Sequence, residues 1–330
     1  MGERQPLAAG AVALRPGWQP VRARLSDGRW HFQNGPIDLI LKAEGDADAC
    51  GHAHEECWQS FQPVLSGLVA ELFELRAPLS PQDDGLLRFR GPVARRMALA
   101  CLPHARAGQF ITPMAAVAGS VADHLIKHYR RPGITRAYIN NGGDIALHLS
   151  AGASLRAGVV ADAHAPSLDA DLDIDGDSPW RGLATSGWRG RSQSLGIADS
   201  VTVLAVDAAT ADAAATIIAN HVNIDDPAVE RRPACEVRDD SDLGDRLVTV
   251  NVGALCLDSI QAALAAGREV ARTLVADRVI AHAMLSLAGH WMHTGNSLAP
   301  ERLIAGYEPA HTSGLARRHA MAEPVFVPTQ

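Results

Sequence analysis

The stretch Ile139-Asn140-Asn141-Gly142-Gly143-Asp144-Ile145 decides how the chain is read. Thr135 to Asn140 has the alternating, β-branched character of a strand, and Asp144 to Ser150 resumes it, so the Gly-Gly pair turns one strand back along its neighbour. Two consecutive glycines adopt positive φ at no steric cost and let a backbone approach a ligand closely. Asn and Asp beside them carry amide and carboxylate groups that can read the edge of a heterocycle or a ribose. The same residues are also ordinary hairpin chemistry, and on this segment alone both readings stand.

Outward from this turn the pattern repeats. Asn34-Gly35 predicts a second hairpin between strands at Gly28 to Phe32 and Pro36 to Lys42. Leu155 to Ala161, Ser200 to Val206 and Leu247 to Val252 read as further strands. A helix is predicted from Cys57 to Leu75, where Trp58, Phe61, Leu65, Leu68, Val69 and Leu72 recur at helical spacing. Others are predicted over Met114 to Tyr129, Thr210 to His221 and Asp258 to Leu287, the last broken at Gly267. Strand pairs joined by tight turns and separated by helices give an α+β fold with antiparallel sheets. No GxGxxG follows the first strand, which argues against a dinucleotide-binding Rossmann domain. Asp162 to Pro179 and Arg231 to Arg246 read as loops. No sequence repeat or linker divides the chain, so residues 1–330 are taken as a single domain, with ends 1–19 and 291–330 unassigned.

Composition sets the outer bounds. With 330 residues, 47% hydrophobic and 20% charged, the chain has enough apolar material for a large core. A formal charge of -7 speaks against a nucleic-acid backbone or an anionic membrane as partner. Five cysteines without regular spacing, an apolar stretch within the first twenty residues too weak for a signal peptide, and no window of membrane-spanning length predict a reduced, cytoplasmic protein. Aromatics are only 5%, so the core is expected to be built from small side chains in close contact.

Three further constellations could carry chemistry. Asp212 and Thr216 lie four apart on one helical face and offer two hard oxygen ligands suited to Mg²⁺; an acidic residue near a helix start also needs no metal. Thr185-Ser186-Gly187-Trp188-Arg189-Gly190-Arg191-Ser192 is a hydroxyl- and Gly-rich loop able to wrap phosphates, or a solvent loop. Cys50, His52, His54 and Cys57 crowd four zinc-competent side chains together, yet match no zinc-finger spacing and equally suit an exposed lead-in to the helix. His282, His290 and His293 read as one face of an amphipathic helix, and Cys101 and His104 as structural. Asp171, Asp173, Asp175 and Gly176 imitate the opening of a calcium loop, but Gly182 stands at its twelfth position and Pro179 falls inside it, so an acidic surface excursion is expected.

Taken together, these segments resemble the ApbE superfamily, the FAD:protein FMN transferases. Met114 to Asp123 is similar to the family's helix before its Gly-Gly-Asp turn, and Ile139 to Ile145 resembles the Asn-x-Gly-Gly-Asp-Ile motif. Thr185 to Gly187 resembles the Thr-Ser-Gly strand end; Ser200 to Val203 and Asp212 to Thr216 resemble the Ser-Val-Thr-Val strand and the Asp-x-x-x-Thr metal helix. These motifs span about residues 110–222. Similar runs at Gly35 to Leu39, Phe110 to Met114, Ser194 to Asp199 and Asn251 to Gly253 extend the likeness over about 20–290 and narrow it to a cytoplasmic ApbE-like branch.

The resemblance implies tandem T-fold-like units with helices packed on antiparallel sheets. It implies Mg²⁺ held by Asp212, Thr216 and a carbonyl near Val117, and FAD or a related heterocycle lined by Asn140, Asn141, Gly142, Gly143, Asp144, Thr185, Ser186 and Gly187. An FMN transferase, with an acceptor protein as second partner, or an FAD pyrophosphatase would follow. Two departures bear on this. Ala118-Gly119 stands where the transferases carry Lys-Gly, and no His lies between His164 and His221, where the family places its His-Ile-Ile-Asp-Pro-x-Thr-Gly segment. Arg189, Arg191 and Asp199 occupy that region instead. A cofactor-biosynthesis protein binding a pterin or purine-like heterocycle without flavinyl transfer is therefore one alternative, and a structural zinc or interaction protein built on Cys50 to Cys57 is another.

Overall fold

Gly142 and Gly143 take φ of 63° and 107°, and Asn141 pairs with Asp144 across them, so the decisive stretch is a two-residue hairpin turn. The computed structural model describes residues 18–83, 88–159, 170–294 and 325–327. Residues 1–17, with the weak apolar stretch, and residues 160–169, which include His164, the end of the predicted Leu155–Ala161 strand and the first part of the predicted loop after it, lie outside the described residues.

The first half begins with β1 (Val21–Arg24), β2 (Trp30–Asn34) and β3 (Ile37–Gly45). Then come α1 (Ala47–Phe61), α2 (Val64–Ala70), α3 (Leu72–Leu75), α4 (Pro92–Arg106) and, after a short 3-10 turn over Pro113–Ala116, α5 (Val117–Ile126). β4 (Ile134–Asn141) and β5 (Asp144–Leu149) close this half. β6 (Ser154–Val159) and β7 (Ala170–Asp175) form a hairpin, followed by β8 (Gly182–Ser186), β9 (Ser200–Ala205) and α6 (Ala208–His221). β10 (Val229–Pro233), α7 (Ala234–Val237) and β11 (Leu247–Val252) make a small excursion. The last elements are α8 (Leu257–Ala276), β12 (Ile280–Leu287), β13 (His290–His293) and β14 (Val325–Val327).

Nine strands form one wholly antiparallel sheet in the order β1-β2-β3-β4-β5-β8-β9-β12-β13. The order contains the same frame twice: two strands, helices, two strands, as β2-β3 to β4-β5 and again as β8-β9 to β12-β13. The fold is thus α+β with tandem T-fold-like units, although no repeat is visible in the sequence. Helices pack on one face through two clusters, one around Phe32, Phe61, Leu125 and Ile139, the other around Val201, Val203, Ile218 and Leu264. The β6-β7 hairpin covers part of the other face, bringing Leu155 and Leu172 onto Ile145 and Leu147.

α6 runs through the middle of the helical layer and buries Ala208, Ala209, Ala211, Ala213, Ala214, Ala215 and Ala219. It touches sheet on one side and α4, α5 and α8 on the others, which only small side chains permit. At its crossing with α5, a Cβ on Gly119 would lie 2.3 Å from the Ala208 carbonyl oxygen. There the two helices cap one another. Asp123 on α5 accepts from the backbone N–H groups of Ala208 and Ala209 at 3.0 and 2.9 Å, and Asp212 on α6 accepts from Gly119 N–H at 3.0 Å.

Several predicted elements are corrected. The helix assigned to Cys57–Leu75 starts at Ala47, where Asp46 accepts from Ala49 N–H, and is cut into α1, α2 and α3 after Phe61, next to Pro63. The helix assigned to Asp258–Leu287 passes unbroken through Gly267 and ends at Ala276; Ile280 to Leu287 is a strand buried between β9 and β13. His282, His290 and His293 therefore lie on a hairpin, with the His282 and His293 rings 5.7 Å apart. The acidic run at Asp173 and Asp175 belongs to strand β7, where Asp173 pairs with Arg156 at 3.0 Å. Strand β11 coincides with the predicted Leu247–Val252 and β8 ends at the predicted strand end, whereas helix α4 and strand β10 were not anticipated.

Candidate functional site

A cavity of about 310 Å³ opens where the two halves of the sheet meet. The β4-β5 turn supplies Asn141, Gly142 and Asp144; the end of β8 supplies Thr185, Ser186 and Gly187; α5 and the turn before it supply Val117 and Ala118; α6 supplies Asp212 and Thr216. Nine of the eleven residues singled out from the sequence thus line one space. The other two, Asn140 and Gly143, are not in its lining: Asn140 Oδ1 accepts from Gly143 N–H at 2.8 Å and braces the turn from behind. Asn141 donates its side-chain amide to the Ala118 carbonyl at 3.1 Å, tying the turn to the start of α5.

The electrostatics centre on two carboxylates. Asp144 is buried and accepts from Thr185 N–H at 3.2 Å. Burial, and next the charge of Asp212, push its pKa well above the ordinary range. Asp212 keeps a face toward the cavity but sits deep in the protein, and desolvation pushes it up to about 7 against the pull of the Gly119 and Ala118 N–H groups. Two acids that resist ionisation side by side, with the Thr216 hydroxyl one helical turn from Asp212, are a donor set that a small hard cation would satisfy. The sequence reading placed Asp144 only among the nucleotide contacts. Among the described residues no three His, Cys, Asp or Glu side chains form a ready cage.

The far wall escaped the sequence reading. The loop after α7 brings Arg238, Asp240, Ser241, Asp242 and Leu243 over the cavity. Arg76 pairs with Asp240 at 2.9 Å, Thr112 donates to Asp242, and the Arg246 guanidinium lies 3.5 Å from the Phe110 ring centroid. The predicted Arg231–Arg246 loop contained these residues, and its acidic run beside arginines was the one available cue. Of the residues standing where the transferases carry their His, Arg189 and Asp199 are committed to structure: Asp199 accepts from Arg189 at 2.7 Å and from Ala288 N–H at 2.6 Å. Among the described residues no His, Lys or Cys lines the cavity.

The Cys50–Cys57 segment is neither loop nor lead-in but the body of α1. Cys57 is buried and its thiol is pushed up to about 12 by desolvation, while His54 Nδ1 bonds the Tyr129 hydroxyl at 2.7 Å. Among the described residues these side chains form no metal-ligating cluster of the kind the zinc reading required. Cys101 and His104 are buried in α4, where burial pushes the Cys101 thiol well up and lowers His104 to about 4.

Comparison with known proteins gives the following. The family model described as AbpE bacteria matches residues 22–293. A UPF0280 protein of Methanosarcina acetivorans is 36% identical over 219 residues, which are 66% of this chain and 80% of the relative. A UPF0280 protein of Methanothermobacter thermautotrophicus is 38% identical over 164 residues, 49% of this chain and 61% of the relative, so the chain spans less than two thirds of that relative's length. Among solved structures, the ApbE protein from Thermotoga maritima aligns with 84% of this chain and 97% of its own at 10% identity and a TM-score of 0.42. The flavinyl transferase ApbE of Pseudomonas stutzeri aligns with 88% of this chain and 98% of its own at 12% identity and a TM-score of 0.41.

Proposed function

Because the chain belongs to the AbpE bacteria family, we propose that its cavity binds a flavin nucleotide together with Mg²⁺, and that the protein acts on FAD as an FMN transferase or a pyrophosphatase. One observation carries the reading: Asp144, buried, and Asp212, half-buried, two acids with raised pKa values, face one space beside Thr216 and a Gly-Gly turn. When bound, Mg²⁺ supplies neutralisation of a diphosphate and of the AMP that leaves on attack at phosphorus. This chain's own residues do the rest. Asp212 and Thr216 would hold the cation with a carbonyl near Val117, Gly142 and Gly187 add no side chain of their own to the walls, and Asn141 and Thr185 tie the two strand ends in place through their bonds to Ala118 and Asp144. Free thiols at Cys50, Cys57, Cys101, Cys235 and Cys256 support a reducing, cytoplasmic setting, and no helix among the described residues is long and apolar enough to cross a membrane.

The test is retention of FAD, and release of AMP from it, by purified protein with and without MgCl₂. Asp212→Asn keeps an oxygen to accept from Gly119 N–H but loses the charge, so it is expected to fold and to weaken Mg²⁺-dependent FAD binding at least tenfold, in line with losing a charged ligand. Absence of both retention and AMP release in the wild type refutes the proposal.

That the described lining residues offer Arg and Asp but no His, Lys or Cys as a general base or nucleophile favours a second reading, a binder of a pterin or purine-like heterocycle that performs no transfer. A thermal-shift series of flavins against pterins and purines separates the two, since the true ligand raises stability by mass action.

A further inference from the structure

Two arginines enter the cavity region on the loop between β8 and β9, and the structure treats them differently. Arg189 is spent: it pairs with Asp199 at 2.7 Å and stacks on Trp188 with 4.9 Å to the ring centroid. Arg191 makes no ion pair or direct hydrogen bond among the described residues. Its guanidinium lies against the Gly-Gly turn, so close that a Cβ on Gly142 would stand 2.2 Å from Nη2. It lines the cavity, its side chain is exposed, and its charge lowers the pKa of Asp144. It is thus a cation within electrostatic reach of Asp144, in the cavity that Asp212 also lines, without bonding to either acid. Gly142 must be glycine here for two reasons: positive φ and the space the guanidinium occupies.

We propose that Arg191 is the resident counter-cation of the Asp144–Asp212 pair and, when a divalent cation takes that post, the fork that grips the ligand's phosphate; only the flavin part of the ligand rests on the function proposed above. A guanidinium with all its N–H groups unspent is suited to bidentate phosphate recognition, and its position next to the acids makes it a competitor for any metal bound there.

The experiment uses the full chain and three probes: MgCl₂ alone, inorganic pyrophosphate with saturating MgCl₂, and FAD against riboflavin. Arg191→Gln is expected to bind Mg²⁺ roughly tenfold more tightly than wild type, because a positive charge has been removed from beside the acids. The same variant is expected to bind Mg²⁺-pyrophosphate and FAD about tenfold more weakly while leaving riboflavin affinity unchanged. Arg191→Lys keeps the charge and loses the fork, so its Mg²⁺ affinity stays near wild type and its pyrophosphate affinity falls. The proposal is overturned by an unchanged or weaker Mg²⁺ affinity in Arg191→Gln, by wild-type protein that binds no Mg²⁺-pyrophosphate, or by equal losses of FAD and riboflavin. If the Gln variant does not fold, the Lys variant decides, and unchanged pyrophosphate affinity there overturns the assignment. Wild type that binds pyrophosphate through Arg191 but ignores FAD refutes the flavin reading and leaves this one standing.

Discussion

At the scale of single residues, Gly119 shows how a small side chain can carry a fold. Its Cβ position lies 2.3 Å from the Ala208 carbonyl oxygen and 2.8 Å from Ala209 N, both backbone atoms that cannot swing aside. Gly119→Ala must therefore separate α5 from α6, and we expect a loss of about 2–3 kcal/mol in urea unfolding, as for other overpacked sites. Most of the site was legible at this scale. Asn141, Gly142, Asp144, Thr185 and Asp212 sit in short local patterns whose residue types follow from turns, strand ends and helix faces. Arg76 and Asp240 were not legible, because they are 164 positions apart and only the folded chain makes them neighbours.

At the scale of elements, the two capped helices are a unit. Asp123 serves two N–H groups of α6, and Arg96 pairs with both Asp123 and Asp207 beside it. Burial and the Asp207 charge raise the pKa of Asp123 to about 6 against the pull of the Ala209 and Ala208 N–H groups and of Arg96. Asp123→Ala should cost about 2 kcal/mol, and Asp123→Asn clearly less, in thermal or urea unfolding. A result in which both cost the same would mean that the charge dominates. Element boundaries were the least legible feature. Ile280-Ala281-His282-Ala283-Met284-Leu285 is apolar enough to continue α8 by pattern, and only pairing on both sides, to β9 and β13, makes it a strand. Helix α4 went unread because Pro92 and Pro103 mark its sequence as loop; one sits at the helix start, and the other lies within its last turn.

At the scale of the whole molecule, buried titrating groups pull in opposite directions. Burial lowers His54, His104, His124 and His282 from 6.5 to about 4, so unfolding between those values takes up protons; their contribution is present above pH 6.5 and lost as pH falls through about 4. Asp212 does the reverse. Its folded value of about 7 lies above the ordinary 3.8, so the metal-free native state holds its proton more tightly, and stability is gained as pH falls from about 7 to 3.8. Each proton is worth about 1.4 kcal/mol per pH unit within its window. Metal-free Asp212→Asn should therefore lose stability more steeply than wild type between pH 7 and 4, measured by urea midpoints in EDTA. Parallel curves would show that Asp212 titrates normally. The α+β class and antiparallel pairing were legible from the turns; the doubling of the frame came only through the family resemblance, because the two copies share a path of the chain and no residue pattern.

Asp212 has one oxygen on the amide of Gly119 while its carboxylate faces the cavity. Anything that draws electron density from that carboxylate alters the bond to the amide, so the Gly119 N–H is a native spectroscopic reporter. Its nitrogen shift and its exchange with solvent would register occupancy of the cavity from within a helix crossing, with no label attached to the ligand and none to the loop walls.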